Sequence, residues 1–150
     1  MISSNFNSIS YDGLKSAFKE TDTKDDRTIW DMYSNYNWNT SKVCGNYGKE
    51  GDCYNREHSV PKSWFQEAKP AYSDLFHLYP TDGYVNGRRS NYAYGEVANA
   101  KYTSNNGSKL GNGVEKYGYT GTVFEPIDEY KGDFAVSYTH LRAHETRSNL

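Results

Sequence analysis

Two nearby segments decide the fold: residues 54–61, which read YNREHSVP, and residues 74–91, which read DLFHLYPTDGYVNGRRSN. The first predicts an extended strand that stops at its final proline, because proline cannot donate a hydrogen bond to a sheet. In the second, residues 74–80 predict another short strand, and Thr81 is a candidate N-cap for a helix that carries Asn86 in its second turn. The predicted order is therefore strand, loop, strand, helix.

The segments before this unit predict one helix and one strand. Residues 11–20 place Leu14, Ala17 and Phe18 on one helical face, which is typical of a short amphipathic helix. Residues 28–33 are rich in β-branched and aromatic side chains, which favours a strand. Together with the central unit, this mixture indicates the α+β class.

The segments after it predict little regular structure. Residues 92–122 are rich in Gly, Asn, Ser and Tyr without a clear period, which indicates loops and short irregular strands. Gly132 or Asp133 is a candidate start of another helix. No Pro-rich or Ser-rich linker divides the 150 residues, so we expect one domain. Hydrophobic residues are only 35% of the chain, but fifteen are tyrosines, so aromatic burial is expected to replace aliphatic burial.

Composition and charge limit the partners of the chain. No segment approaches the run of ~18 apolar residues that a membrane span needs, and the N-terminus lacks a basic and then apolar signal segment. We therefore expect a soluble monomer with no membrane partner. The net charge is -2, so any phosphate-binding surface must be local. Arg88 and Arg89 form the best cationic cluster, and Lys62 and Lys69 lie beyond the segment 54–61.

Glu57, His58 and Asn86 form a candidate hydrolytic centre. A hard divalent cation accepts carboxylate and amide oxygens, so Glu57 and Asn86 are candidate ligands for one Mg²⁺, Ca²⁺ or Mn²⁺. An imidazole with an ordinary pKa near ~6.5 removes a proton from water at neutral pH, so His58 is the candidate base, and activity should fall below about pH 6. Neighbouring side chains on a regular strand point to opposite faces, so the backbone must bend or end near His58.

Cys44 and Cys53 are the only cysteines, and the sequence leaves their state open. A short disulfide loop suits an oxidising compartment, and reduced thiols are the alternative. A zinc site with His58 and His77 is a third interpretation, although the spacings match neither a close cysteine pair nor a close histidine pair. His77 lies in an apolar run, where a hydrogen-bonded structural histidine is the more common outcome.

Long ordered matches to one known family run through much of the chain. They lie at residues 53–65, 74–91, 92–97, 107–111, 124–126 and 131–133. On these motifs, the chain resembles the bacterial endonuclease I family of secreted and periplasmic nucleases over roughly residues 11–135. The resemblance implies a ββα-metal, or His-Me finger, fold that cleaves DNA and RNA with little sequence preference and leaves 5′-phosphate ends. It also implies an extracellular or periplasmic location.

The same resemblance assigns roles to residues. Matched by motif, His58 corresponds to the general base of the family, and Glu57 and Asn86 correspond to its metal ligands. Some family members also carry a catalytic arginine between the two motifs, but no arginine lies between His58 and Asp74. The candidates for phosphate binding in its place are Arg88, Arg89 and Lys62.

The end of the chain departs from the family pattern, which continues as a Tyr-rich helix after the position of residue 135. We therefore predict a nuclease domain over residues 1–135, incomplete at its C-terminus, and a tail over residues 136–150 that comes from an unrelated junction or a misread frame. His140 and His144 in this tail have the spacing of a metal pair on a helix. Their order does not match the zinc-protease motif His-Glu-x-x-His.

The function predicted from sequence is a metal-dependent, sequence-nonspecific endonuclease acting on DNA and RNA. One alternative is a noncatalytic module that binds nucleic acid or sugars by stacking on exposed tyrosines. Another is an inactive fragment of a nuclease. Dependence on a divalent cation separates the enzyme from the binding module.

Overall fold

The computed structural model describes residues 10–66, 71–73 and 75–148. The helices and strands, in chain order, are α1 (Leu14–Thr21), β1 (Tyr54–His58), β2 (Leu78–Asp82), α2 (Gly83–Arg89), β3 (Val97–Thr103), β4 (Lys109–Gly113), β5 (Thr122–Glu125) and α3 (Asp128–Ser148). Short 3₁₀ turns lie at Lys62–Trp64, Ala71–Ser73 and Glu115–Tyr117. This mixture confirms the α+β class.

The strands form two antiparallel sheets. β1 pairs with β2, and β4 lies between β3 and β5 in the second sheet. Two register shifts interrupt the pairing of β3 with β4, so residues 92–122 contain the short irregular strands that the sequence predicts. Helix α2 follows β2 directly and packs against both β1 and β2. The predicted order of strand, loop, strand and helix is therefore present.

Apolar side chains are buried in two clusters. The first contains Leu14, Phe18, Ile29, Trp38, Tyr54 and Leu78. The second contains Met32, Tyr33, Val85, Phe124, Tyr130 and Phe134. Leu14 and Phe18 are the buried residues of α1, which confirms the predicted amphipathic helix. Aromatic rings form half of the first cluster and most of the second, so aromatic burial does replace aliphatic burial in this chain.

The strand predicted over residues 28–33 is wrong. Ile29 forms isolated bridges there, but the chain turns soon after it. The turn forms because the Asp31 carboxylate accepts the backbone N–H groups of Tyr33 and Ser34. A side chain that takes these donors offers the backbone an alternative to pairing in a sheet.

The second strand and the cap of α2 lie slightly later than predicted. The strand covers Leu78–Asp82, and Asp74, at the predicted start, lies outside the described residues. The cap is Asp82, whose Oδ1 accepts the backbone N–H of Val85 at 3.0 Å. This carboxylate, one residue after the predicted Thr81, therefore satisfies one of the free N–H groups of the first helical turn.

The last helix begins before its predicted position. It starts at Asp128, earlier than Gly132 or Asp133. Two acidic side chains lie in its first turn, where their negative charges interact favourably with the positive end of the helix dipole and stabilise the helix. The helix continues to Ser148, so residues 136–148 are helical, and the foreign origin of this tail stays a prediction. None of the described helices is long and apolar enough to cross a bilayer.

A buried carboxylate, Asp31, connects the early part of the chain to α2. Its Oδ1 accepts the backbone N–H groups of Tyr33 at 3.0 Å, Ser34 at 3.1 Å and Asp82 at 3.0 Å. Its Oδ2 accepts the indole N–H of Trp38 at 3.0 Å. Because both oxygens serve as acceptors and Asp82 caps α2, Asp31 holds the start of that helix in place.

We therefore expect Asp31→Asn to destabilise the protein. The new amide group would replace one acceptor oxygen with an N–H₂ donor that faces other donors, and the free energy of unfolding should fall by about 1–3 kcal/mol. Urea denaturation measures this change. The exposed Asp25→Asn removes a charge without such contacts, so its effect should stay within about 0.5 kcal/mol. Equal losses in the two variants would contradict the role given to Asp31.

Candidate active site

The three residues selected from the sequence lie in one cleft of about 530 Å³. Glu57 and His58 come from the end of β1, and Asn86 comes from the middle of α2. Other side chains of the cleft wall belong to the N-terminal segment, to β1, to α2 and to the loops next to these two elements. They include Tyr11, Tyr47, Asn55, Arg56, Lys62 and Arg89.

The carboxylate of Glu57 is buried and held by two donors. Its Oε1 accepts a hydrogen bond from the Tyr33 hydroxyl at 2.7 Å and another from Arg89 Nη1 at 2.5 Å. Burial raises the pKa of Glu57, and the positive charge of Arg89 opposes that rise. The position of this carboxylate is therefore fixed by an ion pair inside the protein.

Arg89 also contacts the end of β1. Its guanidinium is only 1% exposed, and it donates to the carbonyl groups of His58 at 2.8 Å and Ser59 at 2.6 Å. The Tyr94 ring covers it, with the guanidinium carbon 4.5 Å from the ring centre. β1 ends at His58, and both Glu57 and His58 line the cleft.

The imidazole of His58 is 6% exposed and stacks with the rings of Tyr11 and Tyr72. Its Nε2 lies 3.1 Å from the carbonyl oxygen of Tyr72. Because a carbonyl only accepts, Nε2 carries the proton of the neutral ring and Nδ1 keeps the lone pair. Burial lowers the pKa of His58 to about 4. The ring is therefore neutral at physiological pH, with Nδ1 as its basic atom.

Asn86 is oriented by β1. Its Nδ2 donates to Oδ1 of Asn55 at 2.7 Å and to the carbonyl oxygen of Arg56 at 3.2 Å. The backbone carbonyl can only accept, so it is the amide nitrogen that faces the strand. The amide oxygen is then the atom of Asn86 that a cation in the cleft would bind. Asn55, which sequence reasoning did not select, sets this orientation.

The donor set fits a hard divalent cation. The carboxylate of Glu57 and the amide oxygen of Asn86 are the oxygen ligands that Mg²⁺ and Ca²⁺ accept. Within the described part of the chain, no three His, Cys, Asp or Glu side chains gather as a metal site. Glu57 and Asn86 would therefore leave coordination positions of such a cation to other oxygen donors.

The two cysteines, Cys44 and Cys53, are joined in a disulfide directly before β1. The zinc site considered with His58 and His77 is therefore wrong, because neither thiol is available as a thiolate ligand. The carbonyl of Cys53 accepts the backbone N–H of Gly83 at 2.9 Å. The disulfide thus lies beside the start of α2.

Comparison with known proteins agrees with the family resemblance that the sequence motifs indicate. The sequence model described as Endonuclease I matches residues 1–147. The chain belongs to the endonuclease I family. Among its relatives, the Extracellular ribonuclease of Bacillus subtilis (strain 168) is 31% identical over 131 residues, which cover 85% of this chain and 41% of that protein. The Extracellular ribonuclease of Bacillus amyloliquefaciens is 34% identical over 129 residues, which cover 85% of this chain and 40% of that protein.

This member of the endonuclease I family spans about two-fifths of the length of those curated relatives. No solved structure matches it. The resemblance noted from the motifs is confirmed by the family match, which also extends into the tail that the motifs did not cover.

The three cations predicted to contact phosphate lie in different places. Arg89 is internal, and both its Nη1 and its Nη2 donate to protein acceptors, so its contact with phosphate stays a prediction. Arg88 is exposed and stacks on two tyrosine rings outside the cleft lining. Lys62 is exposed in the cleft wall. Arg56 also lines the cleft, and its only sequence signal was its position two residues before His58.

The remaining histidines have no assigned role in the cleft. His77 is fully buried, with its ring centroid 5.7 Å from that of His58, and it does not line the cleft. This placement agrees with the structural interpretation of His77. The side chains of His140 and His144 lie outside the described residues.

Replacing Arg89 should destabilise the protein far more than replacing the adjacent Arg88. Arg89→Met leaves the Glu57 carboxylate buried without its partner, so the free energy of unfolding should fall by about 3–5 kcal/mol. Arg88→Met removes an exposed charge and should cost less than about 1 kcal/mol. Urea denaturation compares the two. A double variant, Arg89→Met with Glu57→Gln, should recover part of the loss, and equal losses for both arginines would refute the role of the buried pair.

The ionisation of His58 can be measured directly in metal-free protein. Its ring should stay neutral down to about pH 4, because burial lowers its pKa, whereas an exposed histidine titrates near ~6.5. A ¹⁵N NMR titration would show this, together with the proton on Nε2. This pKa lies below the acid limit near pH 6 that the sequence predicts for activity, and that limit stays a prediction. A transition of His58 near pH 6.5 would show that the ring is solvated instead.

Proposed function

We propose that this chain is a metal-dependent, sequence-nonspecific endonuclease that hydrolyses phosphodiester bonds in DNA and RNA. Its core is of the ββα-metal, or His-Me finger, type, formed by β1, β2 and α2, with one divalent cation such as Mg²⁺ per site. The proposal is carried by one observation: a neutral imidazole, His58, with Nδ1 as its basic atom, shares a cleft with the oxygen donors of Glu57 and Asn86.

Each of these side chains has one role in hydrolysis. Glu57 and Asn86 would hold the cation, which supplies Lewis-acid stabilisation of the phosphoryl and leaving oxygens when it is bound. His58 accepts a proton from water at Nδ1, and the water oxygen bonds to phosphorus as the bond from phosphorus to the 3′ oxygen breaks. The 3′ oxygen takes a proton from solvent. The products carry a 5′-phosphate and a 3′-hydroxyl.

Tyr72 and the burial of His58 support this role. The Tyr72 carbonyl holds the Nε2 proton, which keeps Nδ1 as the acceptor and stabilises the positive ring that forms when water loses its proton. Burial keeps the ring unprotonated before the reaction, since it lowers the pKa of His58 to about 4. The ring is therefore unprotonated over the neutral range of pH, and the Tyr72 carbonyl offsets part of the penalty that burial places on the imidazolium.

The relatives support the substrate class and the location. Both Bacillus relatives are named extracellular ribonucleases, which favours RNA as one substrate and a site of action outside the cell for this chain as well. The disulfide between Cys44 and Cys53 suits the same oxidising environment. Contacts to phosphate carry no sequence information, which fits cleavage of DNA and RNA alike. We take the working unit to be a monomer.

Nuclease assays test this proposal. Plasmid DNA and a structured RNA should be degraded in the presence of Mg²⁺ and remain intact when EDTA is added. His58→Ala should lower the rate by about 10²-fold or more, because it removes the general base. Undiminished cleavage in EDTA, or in the His58→Ala variant, would reject the mechanism.

Variants of Asn86 test the proposed ligand. Asn86→Leu removes the amide oxygen and should abolish the response to Mg²⁺, whereas Asn86→Asp keeps an oxygen at this position and should retain part of it. Asn99→Leu at an exposed position of β3 is the matched control and should leave the rate unchanged. A similar loss in Asn86→Leu and Asn99→Leu would mean that Asn86 is not a ligand.

A further inference from the structure

Among the described residues, three cationic side chains line the cleft: Arg56, Lys62 and Arg89. We propose that Arg56, stacked on the ring of Tyr11, is the residue of this cleft that binds a phosphate group of the nucleic acid. The inference rests on the proposed function, because it names the group that holds the strand beside His58. It gives Arg56 a binding role and no part in proton transfer.

The other two cations are less suited to this task. Arg89 is 1% exposed, and its charge is compensated inside the protein by Glu57 and two backbone carbonyls. Lys62 is exposed on a 3₁₀ turn, with its ammonium 5.9 Å from the centre of the Tyr72 ring. A lysine carries a point charge on a flexible stem, so it loses more conformational freedom per hydrogen bond than a guanidinium that is already held.

Arg56 is held in one orientation by its neighbours. Its guanidinium carbon lies 3.8 Å from the centre of the Tyr11 ring, and Nη1 donates to the Tyr11 carbonyl at 2.8 Å. Its Nη1 lies 3.6 Å from Oδ1 of Asp12. The side chain of Asp12 is 87% exposed, so water screens this ion pair strongly. Among the described residues, no buried carboxylate pairs with Arg56, in contrast to Arg89. Arg56 therefore presents a fixed charge that is only weakly compensated.

The position of Arg56 places this charge beside the reacting groups. Residues two apart on a strand face the same side and lie about 6.6 Å apart, so Arg56 and His58 share one face of β1. The Tyr11 ring contacts both side chains. The carbonyl of Arg56 also accepts a hydrogen bond from Asn86. A phosphodiester between His58 and the oxygen donors would therefore come within reach of the guanidinium, whose fork suits two phosphate oxygens.

The salt dependence of binding tests this proposal. Fluorescence anisotropy of a labelled single-stranded DNA is measured in EDTA over a series of KCl concentrations, so no hydrolysis occurs. Arg56→Gln should weaken binding about tenfold, as expected for the loss of a charged hydrogen bond. It should also reduce the slope of log affinity against log salt by about 0.7, the value for one phosphate contact on a single strand. Arg56→Lys should keep the slope and lose part of the affinity.

Two further variants separate binding from folding. Arg27→Gln removes an exposed arginine outside the cleft lining and should change neither affinity nor slope. Tyr11→Leu keeps the charge of Arg56 but removes the ring that orients it, so affinity should fall while the slope stays. If circular dichroism shows that Arg56→Gln is unfolded, the result for Tyr11→Leu decides the question. Wild-type affinity and slope in a folded Arg56→Gln protein, or wild-type affinity in Tyr11→Leu, would overturn the proposal.

The binding assay and the nuclease assay can reject the role of Arg56 and the nuclease mechanism separately. A wild-type protein that cleaves only with Mg²⁺, together with an Arg56→Gln variant whose slope is unchanged, would leave the endonuclease mechanism standing and remove the role of Arg56. A wild-type protein that does not cleave, together with a reduced slope in Arg56→Gln, would keep the phosphate site and reject hydrolysis.

Discussion

The buried ion pair between Arg89 and Glu57 is the interaction on which the candidate site depends. Moving two charges out of water costs several kcal/mol per ion, so such a pair persists only when hydrogen bonds satisfy the remaining donors and acceptors. Here the Tyr33 hydroxyl and two backbone carbonyls satisfy part of them, and Nε of Arg89 is buried without a hydrogen bond to the described residues. Asn86 lies three residues before Arg89 on the same helix, which places it on a neighbouring part of the helical surface. The contact that fixes Glu57 therefore also brings Asn86 to β1.

The other end of α2 is fixed by a second polar network. Asp31 accepts the backbone N–H of Asp82, and Asp82 in turn accepts the N–H of Gly51 at 2.7 Å while it caps the helix. In the middle of the helix, a Cβ at Gly87 would come within 2.6 Å of the Tyr47 hydroxyl, so the absence of a side chain there lets the tyrosine pack on α2. A helix of two turns is thus positioned by buried polar groups and one ring, with little aliphatic packing.

This dependence explains what the sequence could and could not predict. Glu57, His58 and Asn86 lie in two short segments whose strand and helix patterns are local. The secondary structure of these segments and its order along the chain could therefore be predicted from the sequence. The internal placement of Arg89 could not, because it depends on contacts with Glu57, His58 and Ser59, which are distant in sequence. Charge pattern alone did not distinguish Arg88 from Arg89, although only the second faces inward beside the buried Val85. The strand predicted around Asp31 failed for a related reason: a buried carboxylate diverted the backbone donors, and no periodicity records such a contact.

The charge of the cleft differs in sign from the charge of the chain. Among the described residues, three cationic side chains and one carboxylate line it, and their charges sum to +2, whereas the whole chain carries -2. At physiological salt, interactions between exposed charges are screened beyond about 8 Å. A nucleic-acid strand bound in the cleft would therefore interact mainly with the charges that line the cleft. The ion pair with Arg89 offsets the negative charge of Glu57, and under the proposed function Arg56 would be the cation that meets a phosphate group of the nucleic acid. Under the proposed function, a chain of net negative charge would therefore bind nucleic acid at this cleft.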